Sequence, residues 1–289
     1  MWNSLAAAGL VAAAALSPAR AVADEAPVLR FVGSVPIADR AAGFDEPSGL
    51  ALLADGRAFL SVSDDSHALY TLAPDGRLAD RLKLAKRIDG LEGVALDAVG
   101  QRVLMVREEA RELVTLDLGD GAKVRRFPLE RMAGFAAIAS LWAAGEDTDG
   151  LEGITVVPGA DRVVVLKENA PRLMMDLSAD LSTIRSAMIL SADLGFLDDD
   201  TGDDRLDVSG IAHDPVRDAF WISSDTGRRV FLFDPAAGRA IGYPLVWLDG
   251  DRRREVHNAE GVALSADGTR LFIVNDDGAE SRLFEYAVE

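Results

Sequence analysis

One short pattern recurs five times along this chain, and it leaves few folds open. Each copy starts with a serine or glutamate, then glycine, then apolar residues: Ser48-Gly49-Leu50-Ala51, Glu92-Gly93-Val94-Ala95, Glu152-Gly153-Ile154-Thr155, Ser209-Gly210-Ile211-Ala212 and Glu260-Gly261-Val262-Ala263. A second apolar run follows, such as Val103-Leu104-Met105-Val106 or Leu271-Phe272-Ile273-Val274. A carboxylate then stands 15 residues after the glycine in every copy: Asp64, Glu108, Glu168, Asp225 and Asp276. Five equal offsets mean that the same two strands and the same turn are rebuilt each time.

The rest of each copy identifies the unit. Third apolar runs lie at 69–72, 113–116, 173–177, 230–233 and 283–286, and the first four copies add a fourth, as at 78–84 and 184–190. These runs are short, rich in Val, Leu, Ile and Phe, and bounded by Asp-Gly, Pro and Gly, which marks strands rather than helices. Four strands recurring every 44 to 60 residues is the period of propeller blades. The expected fold is all-β, a five-bladed β-propeller forming one domain over 24–289. Six blades is the alternative if 134–149 or 193–207 hides a degenerate copy. The fifth copy stops at its third strand, while Val28 to Val35, ahead of the first copy, has no repeat of its own. Pairing that segment with the last copy supplies the missing strand and closes the ring, removing two open sheet edges.

The N-terminus reads as a targeting segment. Leu5 to Leu16 is an apolar run of 12 residues, followed by Ala21-Val22-Ala23 and then acidic residues. It is shorter than the roughly 20 residues needed to span a bilayer, and the small residues form an A-x-A cleavage site. Residues 1–23 are therefore expected to be a signal peptide, although no Lys or Arg precedes the run. The mature protein is expected to be periplasmic or secreted, in association with the envelope or free, with no transmembrane segment.

Charge narrows the partners. With 48 Asp and Glu against 30 Lys and Arg the net charge is −18, and the longest basic block is Arg252-Arg253-Arg254. Such a surface repels phosphate backbones, so no nucleic-acid partner is expected. The absence of cysteine excludes disulfides, thiolate metal sites and thiol nucleophiles.

Propeller geometry then locates the chemistry. The innermost strand of a blade and the strand after it meet at one face, so the residue before each glycine and the acid 15 positions after it should be neighbours. The expectation is a carboxylate collar at one mouth of the central channel: Glu92, Glu152 and Glu260 from the inner strands, with Asp64, Glu108, Glu168, Asp225 and Asp276 beside them. Asp45, Asp89, Asp149, Asp207 and Asn258, slightly upstream, are candidates to add oxygens. Clustered oxygens without His or Cys suit a hard cation, Ca²⁺ before Mg²⁺. The alternative is a purely structural collar whose acids pair with Arg107, Lys167, Arg172, Arg228 and Arg282. A second acidic stretch, Asp198 to Asp204, lacks the EF-hand order, since Gly202 and Ser209 fall where ligands should stand. Three histidines, His67, His213 and His257, and no G-x-S-x-G elbow give nucleophilic catalysis little support.

The motifs Glu46-Pro47-Ser48-Gly49-Leu50-Ala51, Leu91-Glu92-Gly93-Val94-Ala95, Leu151-Glu152-Gly153-Ile154, Val208-Ser209-Gly210-Ile211-Ala212 and Ala259-Glu260-Gly261-Val262-Ala263 resemble the SdiA-regulated family of bacterial β-propellers, the group that includes calcium-regulated propellers. Val165-Leu166-Lys167-Glu168-Asn169 and Ser223-Ser224-Asp225 extend the resemblance over nearly the whole mature chain. It implies an exported or envelope-associated propeller linked to calcium, with phytase-like activity. Propellers with esterase-like activity of the phytase type look similar at the E-G-I segment and at Glu168-Asn169-Ala170-Pro171. The functional expectation is an exported propeller that binds Ca²⁺ or a small ligand at the carboxylate mouth without catalysis. Its alternatives are metal-dependent phosphoester hydrolysis and a scaffold that docks an envelope protein.

Overall fold

The computed structural model describes residues 26–84, 88–97, 101–119, 123–142, 150–198, 202 and 205–289. The expected signal peptide, Asp149, and most of the acidic stretch after Asp198 lie outside these residues.

Five four-stranded antiparallel sheets stand around a central axis, each entered from its innermost strand. β1 (Leu29–Pro36) precedes the first full blade, which contains β2 (Pro47–Leu52), β3 (Phe59–Ser63), β4 (Ala68–Leu72) and β5 (Leu78–Lys83). The second blade is β6 (Leu91–Leu96), β7 (Arg102–Arg107), β8 (Glu112–Asp117) and β9 (Lys123–Pro128); α1 (Phe135–Trp142) leads to the third. That blade is β10 (Leu151–Val157), β11 (Arg162–Lys167), β12 (Leu173–Ser178) and β13 (Ile184–Ile189), and the fourth is β14 (Ile211–Asp214), β15 (Ala219–Ser224), β16 (Arg229–Asp234) and β17 (Arg239–Pro244). A hairpin, β18 (Val246–Asp249) and β19 (Arg252–Glu255), separates it from β20 (Ala259–Leu264), β21 (Arg270–Asn275) and β22 (Arg282–Val288).

The last sheet has the order β1-β22-β21-β20, so the N-terminal strand completes the C-terminal blade. Its register runs from Leu29 opposite Val288 to Pro36 opposite Arg282, and Val28 and Glu289 exchange backbone hydrogen bonds of 2.7 and 3.0 Å beyond it. Five blades is the count. Where a sixth was considered, the described chain forms the short helix α1, whose Ile138 and Trp142 are buried, and a single turn of 3₁₀ helix at Ala192–Leu194.

The continuous apolar runs have a direct physical reason. Side chains alternate across a strand, and a middle strand of a blade is covered on both faces, so both sets must be apolar. In β7, Val103 and Met105 pack towards the first blade, whereas Leu104 and Val106 pack towards the third. In β11, Val163 and Val165 face the second blade while Val164 and Leu166 face the fourth. The core is thus five apolar wedges, one between each pair of neighbouring blades. Outer strands need no such cover, and β5 and β9 are largely exposed and carry Arg81, Lys83, Lys123 and Arg125. Among the described residues no helix is long and apolar enough to cross a membrane.

Candidate functional site at the channel mouth

The repeated glycine has a packing role that sets the site. An ideal Cβ on Gly49 would stand 2.6 Å from the carbonyl oxygen of Glu92, and one on Gly153 would stand 2.5 Å from that of Ser209. Gly93 abuts the Glu152 carbonyl, Gly210 that of Glu260, and Gly261 the backbone of Gly49 and Leu50. Four blades therefore lean their glycine on the residue before the next blade's glycine, the fifth leans on the glycine itself and the residue after it, and the five contacts form a closed circle. Any side chain larger than hydrogen would push the blades apart. The axis is tight: Gly49, Gly93, Gly153, Gly210 and Gly261 line a central space with room for about one water molecule.

The residue before the glycine also breaks the strand pairing. The β2–β3, β6–β7, β10–β11 and β20–β21 ladders shift register between Pro47 and Gly49, Leu91 and Val94, Leu151 and Ile154, and Ala259 and Gly261. Such bulges re-aim a side chain out of the regular alternation. They fall on Ser48, Glu92, Glu152 and Glu260. Backbone bonds hold the frame: Ser61 donates its hydroxyl to the Gly49 carbonyl at 2.6 Å, and Ser223 donates to the Glu260 carbonyl at 2.8 Å while accepting from the Gly210 N–H at 2.7 Å.

Of the eight acids expected at the collar, three converge tightly. Glu108, Glu152 and Glu168, from the ends of two neighbouring blades, place one carboxylate oxygen each within 4.8 Å of one another. Glu92 lies in the field of Asp64, Glu108 and Glu168, and Glu260 in that of Asp225, Glu92 and Glu168. Asp64 belongs to a second group, with Glu46 and Asp65, whose oxygens also lie within 4.8 Å of one another, and Asp276 faces it. Asp225 stands apart from both groups, close to Asp207 and His257.

These acids resist ionisation. Glu152 and Glu260 are pushed well above the ordinary carboxylate range, first by burial at the channel wall and then by the neighbouring carboxylates. Burial and the charges of Asp64 and Glu108 lift Glu92 to about 8, against a hydrogen bond from Ser48 that acts the other way. Asp64, Asp225 and Asp276 are raised chiefly by burial. Glu46 rises to about 7 through a hydrogen bond shared with Asp65, followed by burial and the charges of Asp64, Asp65 and Asp276.

The cations named as structural partners have the following contacts among the described residues. Arg107 pairs with Asp89 at 2.5 Å and with Glu112 at 2.7 Å, and Arg228 pairs with Glu255 at 2.9 Å. Arg282 donates to the Ser34 hydroxyl and lies over the Trp247 ring. Arg172 is buried and donates to the Leu190 and Leu206 carbonyls, and Lys167, also buried, donates to the Asn169 carbonyl.

The upstream residues expected to add oxygens serve loops. Asp89 holds Arg107; Asp207 accepts from the Ser224 hydroxyl at 2.7 Å and from the Thr226 N–H at 3.0 Å. Asp45 pairs with Arg40, and Asn258 donates to the Asp276 carbonyl at 2.6 Å. In the acidic stretch, Asp198 pairs with Arg229. The histidines do not assemble a proton relay: His67 donates to the Ile88 carbonyl, His257 is exposed, and His213 lies beside Asp218 and Phe220, with its pKa lowered by burial.

Glu46 and Asp65 are acids of this mouth that sequence reasoning missed. The first copy has Ser48 before its glycine, and its carboxylate stands two residues earlier. For Glu46 the signal was present as the first residue of the E-P-S-G motif, outside the aligned column.

The model of the SdiA-regulated family matches residues 37–279. No curated protein matches the chain. Among solved structures, the chain is similar to the glutaminyl cyclase of Myxococcus xanthus, at 16% identity and a TM-score of 0.61, covering 91% of this chain and 97% of that one. It is also similar to the RRP9 WD40 repeats, at 8% identity and a TM-score of 0.52, covering 91% of this chain and 100% of that one. At these identities the likeness is one of fold.

Proposed function

The chain belongs to the SdiA-regulated family, and from that premise we propose that it is an exported β-propeller that binds Ca²⁺ at the channel mouth and performs no chemistry there. The observation that carries this reading is the convergence of Glu108, Glu152 and Glu168. Oxygens bound to one Ca²⁺ at about 2.3–2.6 Å stand no more than about 5 Å apart, and the three carboxylates fit inside that envelope at 4.8 Å. The donor set is all oxygen, as a hard cation requires. Electrostatics supports the same reading, because burial and then the neighbouring carboxylates push the Glu152 carboxyl well above the ordinary range, an opposition that a central positive charge relieves. Glu92 and Glu260 lie in the field of the same carboxylates and would ionise more readily beside a bound cation.

The hydrolytic alternative has less support. A phosphoester would need cations facing it, and Arg107 is held by Asp89 and Glu112. The exported location rests on the expected signal peptide at 1–23.

Metal analysis of the protein as purified, followed by calorimetric titration of the chelated protein with Ca²⁺, tests the proposal. Saturable binding together with a rise in melting temperature is expected. Native-state binding stabilises by about 2.7 kcal/mol at a hundredfold excess over Kd. Neither heat nor a melting shift would overturn it.

A further inference from the structure

The residue three places after the repeat glycine is aliphatic in four blades: Leu52, Leu96, Val156 and Leu264. Each packs on the wedge towards the preceding blade. In the fourth blade the same place holds His213. A titratable ring thus stands where the fold otherwise takes a hydrocarbon, in the seam between the third and fourth blades and at the end of β14 away from the channel mouth.

His213 is enclosed there. Its side chain is 8% exposed, and both ring nitrogens are buried with no hydrogen-bond partner among the described residues. The ring lies against Phe220 of β15, with centroids 5.3 Å apart, and the His213 backbone N–H donates across the seam to the Thr155 hydroxyl at 3.3 Å. Charged groups face it from two sides. In its own blade, the Asp218 carboxylate stands 3.7 Å from Nε2, beyond hydrogen-bond reach, and is 95% exposed, so water weakens its field. Asp214 is buried but already accepts from Arg217, from the Trp221 indole and from the backbone N–H groups of Val216 and Arg217. From the third blade comes the cation of Arg162, paired with Asp176 at 2.9 Å. Burial outweighs the two aspartates and, with Arg162 acting in the same direction, holds the imidazole pKa below its usual value, so the neutral ring is the favoured form.

We propose that His213 is an acid-sensitive pin in this seam: protonation places a charge in a wedge built for a hydrocarbon, and the ring of blades loosens there first. A buried charge without a hydrogen-bonded partner destabilises the packing around it. The strand across the seam, β10, carries Glu152, Gly153 and Thr155, so the loosening extends to the contact of Gly153 with the Ser209 carbonyl further up the same seam. The folded pKa lies below the unfolded one, so the unfolded chain binds more protons. This part of stability is present above about 6.5 and is lost as pH falls through the folded value. The mouth acids act in the opposite sense, which a comparison with a His213 variant removes.

His213→Leu, which installs the side chain of three other blades, tests this in the full chain with chelator present, so that no cation takes part. NMR of the histidine rings, with the His213 signal identified by its loss from the variant, is expected to give a midpoint below about 6.5. The melting temperature of the variant minus that of the parent should grow by at least about 3 °C between about pH 7.5 and about pH 5. Over the same range, amide exchange should show protection falling first in β10 and β14 of the parent and staying level in the variant. His213→Gln, neutral and polar, should give the same result should the leucine variant fail to fold. A midpoint at or above about 6.5, a melting difference that does not change with pH, or protection lost equally in all five blades would overturn the proposal.

Discussion

A methyl group on Gly153 would stand 2.5 Å from the carbonyl oxygen of Ser209 in the neighbouring blade. The distance is too short for any real contact, so the two backbones touch only because Gly153 has no side chain. Alanine there should cost about 1–3 kcal/mol or more by overpacking, which for a domain of this size lowers the melting temperature by about 3–10 °C. Gly33→Ala is the control, since nothing lies within 4 Å of the added carbon. Thermal unfolding of both variants checks this. Equal melting would mean that the blades slide apart freely and that the glycine circle is not a constraint.

Glu152→Gln should act in opposite directions with and without a cation. In chelator the variant loses a buried carboxyl repelled by Glu92, Glu168, Glu260 and Glu108, so it should melt at or above the parent. With Ca²⁺ it has lost one charged ligand of the convergent trio, and affinity should fall roughly tenfold or more, as ligand charge count sets the strength of such sites. Calorimetry and melting curves with and without Ca²⁺ separate the two effects. Asp267→Asn, on an exposed turn held by Ser265 and Thr269, should leave Ca²⁺ affinity unchanged.

Stability should depend on pH in the same sense. Glu92 titrates at about 8 and Glu46 at about 7, both from 4.5. A folded pKa above the unfolded one means that the folded state holds more protons, so this part of stability is present in full below about 4.5 and is lost as pH rises to about 8. In chelator the melting temperature should therefore fall across that window, and Ca²⁺ should flatten the fall. Binding near neutral pH should also release protons, visible as a titration heat that varies with the ionisation enthalpy of the buffer. A buffer-independent heat would contradict the protonated state of these acids.

Ring closure can be tested by truncation. β1 pairs with β22 from Leu29 to Pro36, and its Leu29 and Phe31 pack on the wedge between the fourth and fifth blades. A chain beginning at Asp39 exposes the edge of β22 and is expected to aggregate or to melt at least about 10 °C lower, while one beginning at Asp24 should match the parent. Light scattering during heating reports both outcomes. Identical behaviour of the two chains would show that the fifth blade stands without its fourth strand.

The blades were legible because their strands are covered on both faces, which forces runs such as Val163 to Leu166 to be wholly apolar and keeps the intervening turn at constant length. The closing role of β1 was legible for the complementary reason that it lacked partners of its own. Two elements were not. α1 interrupts the connection into the third blade with Phe-Ala-Ala-Ile-Ala-Ser-Leu-Trp, an apolar stretch without capping signals that periodicity over eight residues hardly separates from a strand. β19 is Arg-Arg-Arg-Glu and wholly exposed, and gives no hydrophobic pattern at all. At the mouth, the constant spacing brought out Glu108, Glu152 and Glu168 together with acids that stay apart. Which of them converge depends on bulge geometry, which spacing does not encode. Glu46 escaped because its carboxylate reaches the same face from a different backbone position.

The circle of glycine contacts also has a consequence for how the chain folds. Each blade is braced by the next, and the last link joins Gly261 to Gly49 and Leu50, while Arg30 and Glu289 meet across a separation of 259 residues. Contacts so distant in the chain form late and slowly, since loop closure must precede the interactions that reward it. A polypeptide whose final strand has yet to arrive can assemble neighbouring blades pairwise but has no complete mouth. Glu108, Glu152 and Glu168 need only the pairing of two neighbouring blades, whereas Glu260 and Asp276 come into the field of Glu92 and Asp64 only once the fifth blade has docked on the first, so the collar is complete only in the finished ring.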